Sequence, residues 1–215
     1  MATEGTPAPT GRPKKKLGLG LGCLAVVIIG LLILGTWGVG QYNSLVSLDQ
    51  KVRSQWAQVE NAYQRRADLI PNLVETVKGA AEFEKDTYTA VAEARSKVGQ
   101  IRLDENLLNN SEAFAKFQAA QDELGSALSR LLVAVEKYPD LKATQNFRDL
   151  QVQLEGTENR ITVERQRFNE TAQAFNTKRM SFPTVLIAGF FGSRFAEKAY
   201  FTAQPGAETA PKVKF

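Results

Sequence analysis

Apolar side chains recur at alternating steps of three and four positions along most of this chain, the pattern of helices that bury one side. The first stripe comprises Leu45, Val52, Trp56, Val59, Tyr63, Ile70, Leu73, Val77 and Ala80, followed by Val91, Ala94, Val98 and Ile101. The second comprises Phe114, Phe117, Gln121, Leu124, Leu128, Leu131, Val135 and Tyr138. The third comprises Phe147, Leu150, Leu154, Ile161, Phe168, Ala172 and Phe175. Strand signals are nearly absent, so the pattern predicts an all-α fold.

Short breaks separate the stripes and define the predicted connections. Asn110 or Ser111 is a plausible N-cap for the second helix, and Asp140 can cap the helix that follows Pro139. Long helices with short connections pack as antiparallel neighbours. Residues 41–180 are therefore expected to form a long antiparallel bundle of three or four helices. The number depends on whether residues 41–101 form one kinked helix or two, with Pro71 and Gly79 as the two positions where the helix could break.

An uncharged stretch at residues 17–40 precedes the bundle. As a helix it spans about 36 Å, enough to cross a bilayer core of about 30 Å. It exceeds the usual apolar length of a cleaved signal peptide, although small residues stand at its end, so an uncleaved transmembrane anchor is expected. Basic residues in the disordered tail 1–16 favour a cytoplasmic N-terminus. The bundle then lies on the periplasmic or outer side of a bacterial inner membrane.

Pro71 lies within the first stripe, which continues through it, so a kinked helix is expected there. Arg66 occupies a stripe position after Tyr63, and Glu164 occupies a similar position in the third stripe. Arg66 is expected to be partly buried and paired with an acid of the last helix, because an unpaired buried charge is costly. Two interpretations, a structural role and a binding site beside the kink, remain open for Arg65, Arg66, Asp68, Pro71, Asn72, Glu75 and Glu164.

Residues 181–215 form an aromatic tail, expected to be irregular or a short helix. Its apolar run from Phe182 to Phe191 is too short to span a bilayer. The tail has three possible positions: folded back over the bundle end, packed on a neighbouring subunit, or placed at the membrane surface. A subunit interface is expected to use Phe182, Phe190, Phe191, Phe195, Tyr200 and Phe201.

Composition narrows the chemistry that is available. The 215 residues include no histidine and one cysteine, Cys23, which lies within the uncharged stretch. The usual general base and the commonest metal ligand are absent, so no catalytic residue, cofactor or metal site is expected. The net charge is +4, but Arg12 and Lys14 to Lys16 against Glu4 give the first sixteen residues +3 of it. No electrostatic surface for nucleic acid is indicated.

Three segments resemble the LemA family of bacterial membrane proteins: "QRRADLIPNLVETVKG", "YPDLKATQNFRDLQVQLEGTENRI", and the ending "FP", "FFG", "YF" and "PKVKF". The likeness covers about Tyr42 to Phe215. It implies a membrane-anchored, antiparallel helical bundle without a defined molecular activity. Phe83 stands where a histidine is common in the family, and Ser193 where an aromatic residue is usual. The first difference argues against shared catalysis.

These observations favour a non-catalytic envelope protein that acts as a self-associating scaffold or adaptor, with copies of itself and other envelope proteins as partners beside the lipid bilayer. The alternative is a monomeric regulatory partner of a membrane protease, transporter or sensor. A hydrolase has no recognisable residue set here, because adjacent carboxylates such as Asp122 and Glu123 diverge on a helix.

Overall fold

The computed structural model describes residues 15–79, 84–101 and 107–203, and it describes side chains from residue 24 onward. Within this part of the chain there is no strand, and six α-helices and two short 3₁₀ helices account for nearly all of the backbone. The predicted all-α class is confirmed. The chain divides between Asn43 and Ser44 into two units.

The helices follow the predicted stripes closely. Their bounds are α1 Lys15–Lys78, α2 Lys85–Gly99, α3 Ser111–Val135, α4 Pro139–Lys142, α5 Gln145–Met180 and α6 Thr184–Phe191. The 3₁₀ helices are Leu107–Asn109 and Gly192–Phe195. Residues 41–101 thus contain two helices, and the separation occurs after Lys78 instead of at Pro71.

The first unit contains the apolar part of α1. Its most apolar window of 18 residues has a mean hydropathy of 2.0, and none of that window is buried. Leu24, Ile29 and Leu34 are each more than half exposed. The hydroxyl of Thr36 donates to the carbonyl oxygens of Leu32 and Ile33, so this polar group is satisfied within the helix. The segment is long and apolar enough to cross a membrane.

The second unit is a bundle built from the rest of α1 with α2, α3 and α5. Helices α1 and α5 are antiparallel: Gln55 contacts Glu164, and the later α1 residue Arg66 contacts the earlier α5 residue Glu158. Helices α2 and α3 are also antiparallel. Near the end of α2, Nζ of Lys97 lies 2.6 Å from Oε1 of Glu123, and just before its start Oε1 of Glu84 lies 3.8 Å from Nζ of Lys137. Four helices therefore alternate in direction around one core.

Pro71 is accommodated by a hydrogen bond from a neighbouring helix. A proline has no N–H to donate to the carbonyl four residues earlier, which here belongs to Ala67. The Nε atom of Arg95, on α2, donates to that oxygen at 3.3 Å. Pro71 itself is exposed, so its ring faces solvent. Helix α1 can therefore continue to Lys78 without leaving this carbonyl unpaired.

The caps agree with the sequence at one helix and differ at another. The side chain of Asn110 accepts hydrogen bonds from the backbone N–H groups of Glu112 and Ala113, as a capping residue of α3. Asp140 was expected to cap the following helix, but Thr144 is the N-cap of α5 and accepts from the N–H of Phe147. The short helix α4 intervenes, so Asp140 lies in its first turn instead.

Replacing Arg95 by alanine should destabilise the bundle by about 1 kcal/mol, the usual net value of such a hydrogen bond. In a Pro71→Ala background the same replacement should have little effect, because residue 71 then donates to Ala67 itself. Chemical denaturation of the four proteins of this double-mutant cycle measures the coupling. Equal losses in both backgrounds would show that the Arg95 bond does not compensate for Pro71. Ser96→Ala, at an exposed position of the same helix, is the control.

Candidate interaction surface

An aromatic cluster fills one half of the bundle core. The ring centroid of Trp56 lies 5.8 Å from that of Phe114, 5.5 Å from that of Phe117 and 5.4 Å from that of Phe168. Helix α2 has only 15 residues, whereas α5 has 36, so α2 cannot cover the full length of the bundle. Residues that follow α5 and α6 in the chain cover the remaining part.

This cover is an extended segment, residues 196–203, which we name the C-terminal strap. Phe201 of the strap is 8% exposed and enters the aromatic cluster, with its ring 4.8 Å from that of Phe114 and 6.2 Å from that of Trp56. The guanidinium of Arg165 lies 4.9 Å from the centre of the Phe201 ring. The strap therefore belongs to the core of its own chain.

Amide side chains of α3 and α5 pair with the backbone of the strap. Asn176 donates to the carbonyl of Lys198 and accepts from its N–H, both at 2.9 Å. Asn169 makes the same pair of bonds with Phe201, and Gln118 makes it with Thr202. Each amide offers one donor and one acceptor, as a neighbouring strand would. An extended segment can thus be buried against helices without unpaired backbone groups.

Lys198 is a second anchor of the strap, with 2% of its surface exposed. Its Nζ atom lies 2.7 Å from Oδ1 of Asp49 and donates to Oδ1 of Asn109 at 2.8 Å. Burial raises the pKa of the Asp49 carboxyl, but the hydrogen bonds and charges of Lys198 and Arg53 together outweigh burial and hold that pKa below its ordinary value. The strap is therefore joined to α1 by a buried ion pair.

Helix α6 packs on the end of α5 with its small residues inward. Thr184 and Ala188, four positions apart, are 1% and 4% exposed, whereas Phe182 and Phe190 are 81% and 85% exposed. The helix ends at Phe191 and is followed by Gly192, whose φ of 53° and ψ of −122° together are readily adopted only by glycine. A helix that only capped a bundle would direct its large side chains inward. Here that order is reversed.

We name the outward side of this region the α6 face. Its exposed apolar side chains are Met180, Phe182, Val185, Leu186, Phe190 and Phe191. Phe195 and Phe201, from the same predicted interface, are buried within this chain, and Tyr200 is partly exposed. The structure thus divides the six aromatic candidates between the core and the surface. An interface role for the exposed ones stays a prediction.

Arg66 and Glu164 lie in a polar layer inside the bundle. Arg66 is 2% exposed and its Nη1 atom donates to Oε1 of Glu158, on α5, at 2.9 Å. Its Nη2 atom donates to the backbone and side-chain oxygens of Gln121. The prediction of a buried arginine paired with an acid of the last helix is confirmed. Glu164 is equally buried and accepts from Gln55 at 2.6 Å.

The remaining candidates beside Pro71 do not converge. Arg65, Asp68, Asn72 and Glu75 are all exposed on α1. Asp68 accepts a hydrogen bond from Gln64, and Glu75 from Lys78, both within the same helix. Arg65 lines a separate open groove between α1 and α5. The structure brings Arg66 and Glu164 into the bundle and leaves the other candidates on its surface.

An open groove of about 820 Å³ lies between α3 and α5, and two ion pairs, Arg66 with Glu158 and Arg165 with Asp122, lie in its lining. Arg165 lies there with its Nη2 atom 2.9 Å from Oδ1 of Asp122 and its Nε atom 2.6 Å from the hydroxyl of Tyr63. In the part of the chain that the structure describes, no group of three or more acidic or cysteine side chains could hold a metal ion. The arrangement is suited to packing and surface contact.

Sequence reasoning missed the side chains that hold the strap. Asn169 and Asn176 are seven positions apart and each follows a buried phenylalanine, so both lie at the edge of the α5 stripe. Gln118 is similarly next to Phe117. A recurrent amide beside a buried ring was the available signal. It indicates a polar partner for an amide but does not identify the strap as that partner.

Asn176→Ala should destabilise the protein by about 2–3 kcal/mol, because it removes two hydrogen bonds and leaves the buried N–H and C=O of Lys198 unpaired. Asn159→Ala, the same replacement at an exposed position of α5, should change stability by less than about 0.5 kcal/mol. Denaturant unfolding of both variants measures the difference. Equal effects would show that the amide does not hold the strap.

Lys198→Met should destabilise the protein by about 3–5 kcal/mol near neutral pH, because it leaves the carboxylate of Asp49 buried without its main partner. In the native protein the lowered pKa of Asp49 contributes stability above pH 3.8, which is lost as pH falls through the folded-state pKa. Denaturant unfolding measured from pH 7 to pH 3 should therefore show that the difference in free energy of unfolding between the native protein and the variant becomes smaller as the pH falls. A constant gap would contradict the ion pair, and Lys51→Met, exposed on α1, is the control.

Comparison with known proteins places this architecture in a family. The LemA family model matches residues 55–215, which include the bundle from Gln55, the α6 face and the strap. Magnetosome protein MamQ of Magnetospirillum gryphiswaldense is 25% identical over 222 residues, covering 96% of this chain and 79% of MamQ. Protein LemA of Metamycoplasma hominis is 23% identical over 178 residues, covering 81% of this chain and 77% of that protein. The chain belongs to the LemA family.

Proposed function

We propose that the protein is a non-catalytic scaffold or adaptor, anchored in the bacterial inner membrane, that self-associates through the sides of its bundle. The observation that carries this proposal is that the buried polar and charged side chains pair with one another inside the bundle. Arg66, Glu164 and Lys198, all buried, bond to other side chains of the same bundle. These groups stabilise a rigid body and leave its outer surface for binding.

Absence of histidine from the whole sequence supports a non-catalytic role, since the usual general base near neutral pH is lacking. Among the described residues, the buried carboxylates of Asp49 and Glu164 are both paired: Asp49 accepts a hydrogen bond from Arg53 and lies 2.7 Å from Lys198, and Glu164 accepts from Gln55. A catalytic carboxylate instead needs access to a substrate. The charged groups of the bundle are therefore better suited to structure than to proton transfer.

Membrane anchoring favours self-association by weak contacts. A helix that spans the bilayer confines every copy to one plane, which raises the effective concentration of the bundles relative to one another. The exposed sides of α3 and α5 carry separate apolar residues, such as Val133 and Val152, among charged ones. Such mixed surfaces suit contacts that are weak in solution but sufficient in a membrane. With the N-terminus in the cytoplasm, the bundles would meet on the periplasmic or outer side.

The full-length protein, extracted in mild detergent, should form a defined particle heavier than its 23.7 kDa chain, measured by light scattering with the detergent mass subtracted. A chain ending at Ser181 is unsuitable as a control, because it loses Phe195, Lys198 and Phe201 from its own core. Substitutions at Val133 and Val152 to lysine are better suited, since both positions are exposed. They should dissociate the particle without lowering stability.

A native protein that stays monomeric in detergent and in membranes at high density would contradict self-association. That result would favour the alternative, a monomeric regulatory partner of another membrane protein. The exposed residues beside Pro71 would then be the first positions to substitute in a search for the contact.

A further inference from the structure

The α6 face is a large apolar surface that the bundle leaves uncovered. From Met180 to Ser193 the sequence contains no charged residue. Phe182, Leu186 and Phe190 recur every four positions on the outward side and are 81%, 65% and 85% exposed. A contiguous apolar patch of this kind indicates contact with another apolar phase or partner.

The small inward residues of α6 indicate what this helix is built to contact. The buried residues of α6 are Thr184 and Ala188, and both are small. The helix therefore buries little apolar area within the chain. The large side chains face the other way, as they do in helices that lie in the membrane interface. Basic residues flank the uncharged run, with Lys178 and Arg179 before it and Arg194 after it. Cationic flanks favour an anionic lipid surface over a purely apolar partner.

The end of the bundle that carries α6 is close along the chain to the uncharged segment. Asn176, near the end of α5, bonds to the backbone of Lys198, whose side chain contacts Asp49. The end of α5, from which α6 continues, therefore lies at the same end of the bundle as Asp49. Asp49 is only nine positions after Gly40, the last residue of the uncharged segment. Even fully extended, nine residues cover about 30 Å.

We propose that the α6 face is a second membrane contact, with Phe182, Leu186 and Phe190 inserted among the headgroups and upper acyl chains of an anionic bilayer. This inference rests on the membrane anchoring in the proposed function, but not on self-association. It assigns lipid, rather than a second copy, to the α6 face. Two attachments, the anchor and α6, then restrict how far the bundle can tilt from the membrane.

The test uses the full-length protein in vesicles of phosphatidylcholine and phosphatidylglycerol. In a Cys23→Ser background, Phe190→Cys is labelled with an environment-sensitive fluorophore, and part of the lipid carries a nitroxide quencher on an acyl carbon near the headgroup. Ser96→Cys, at an exposed position of α2, is the matched control outside the α6 face. Leu34→Cys, 63% exposed in the uncharged segment, reports whether the anchor is in the bilayer.

The label at position 190 should be quenched several-fold more than the label at position 96, at every protein-to-lipid ratio. Equal, weak quenching at 190 and 96, with strong quenching at 34, would overturn the proposal while leaving the anchor intact. Emission at 190 that changes with protein density but not with the quencher would also overturn it, because a second copy would then cover the α6 face. Self-association is read separately from the particle mass.

Discussion

Packing of the C-terminal strap against α3 and α5 is the interaction on which the rest of the bundle depends. Helix α2 is too short to cover the aromatic cluster around Trp56, so without Phe201 one half of the core would be open to water. An extended segment is an unusual cover for helices, because its backbone has no partner strand. Asn169, Asn176 and Gln118 supply the missing partners. The strap can therefore bury the Phe201 ring only if its own backbone N–H and C=O groups are paired at the same time.

The strap also determines where α6 lies. Residues 181–195 connect the end of α5 to the strap. Both ends of this connection are fixed, by α5 on one side and by the buried Phe195 and Lys198 on the other. Arg179 reinforces this connection by donating to the carbonyl of Phe195. Helix α6 is thus held at the bundle end without burying its own large side chains. The attachment of the chain at α5 and at the strap therefore both positions the α6 face and leaves it exposed.

Most of the bundle was predictable because helical periodicity is a local signal. The stripes identified Trp56, Phe114 and Phe168 as core residues, and the polar residue in the first stripe identified Arg66 as buried and paired. The strap was not predictable in this way, since Lys198 and Phe201 form no periodic pattern and their partners lie on distant helices. The sequence therefore left three positions open for the aromatic tail, at the bundle end, on a neighbouring subunit or at the membrane, whereas the structure divides the tail between the core and the α6 face.

Chain order gives the strap a consequence for biosynthesis. Phe201 is translated 145 residues after Trp56. At roughly 5–20 residues per second, the aromatic cluster waits about 7 to 30 seconds for the ring that completes it. Before that interval ends, α1 has left the ribosome with its apolar segment, while the indole of Trp56 still lacks part of its cover. The nascent bundle therefore stays open to aggregation and proteolysis at the membrane until Phe201 is added.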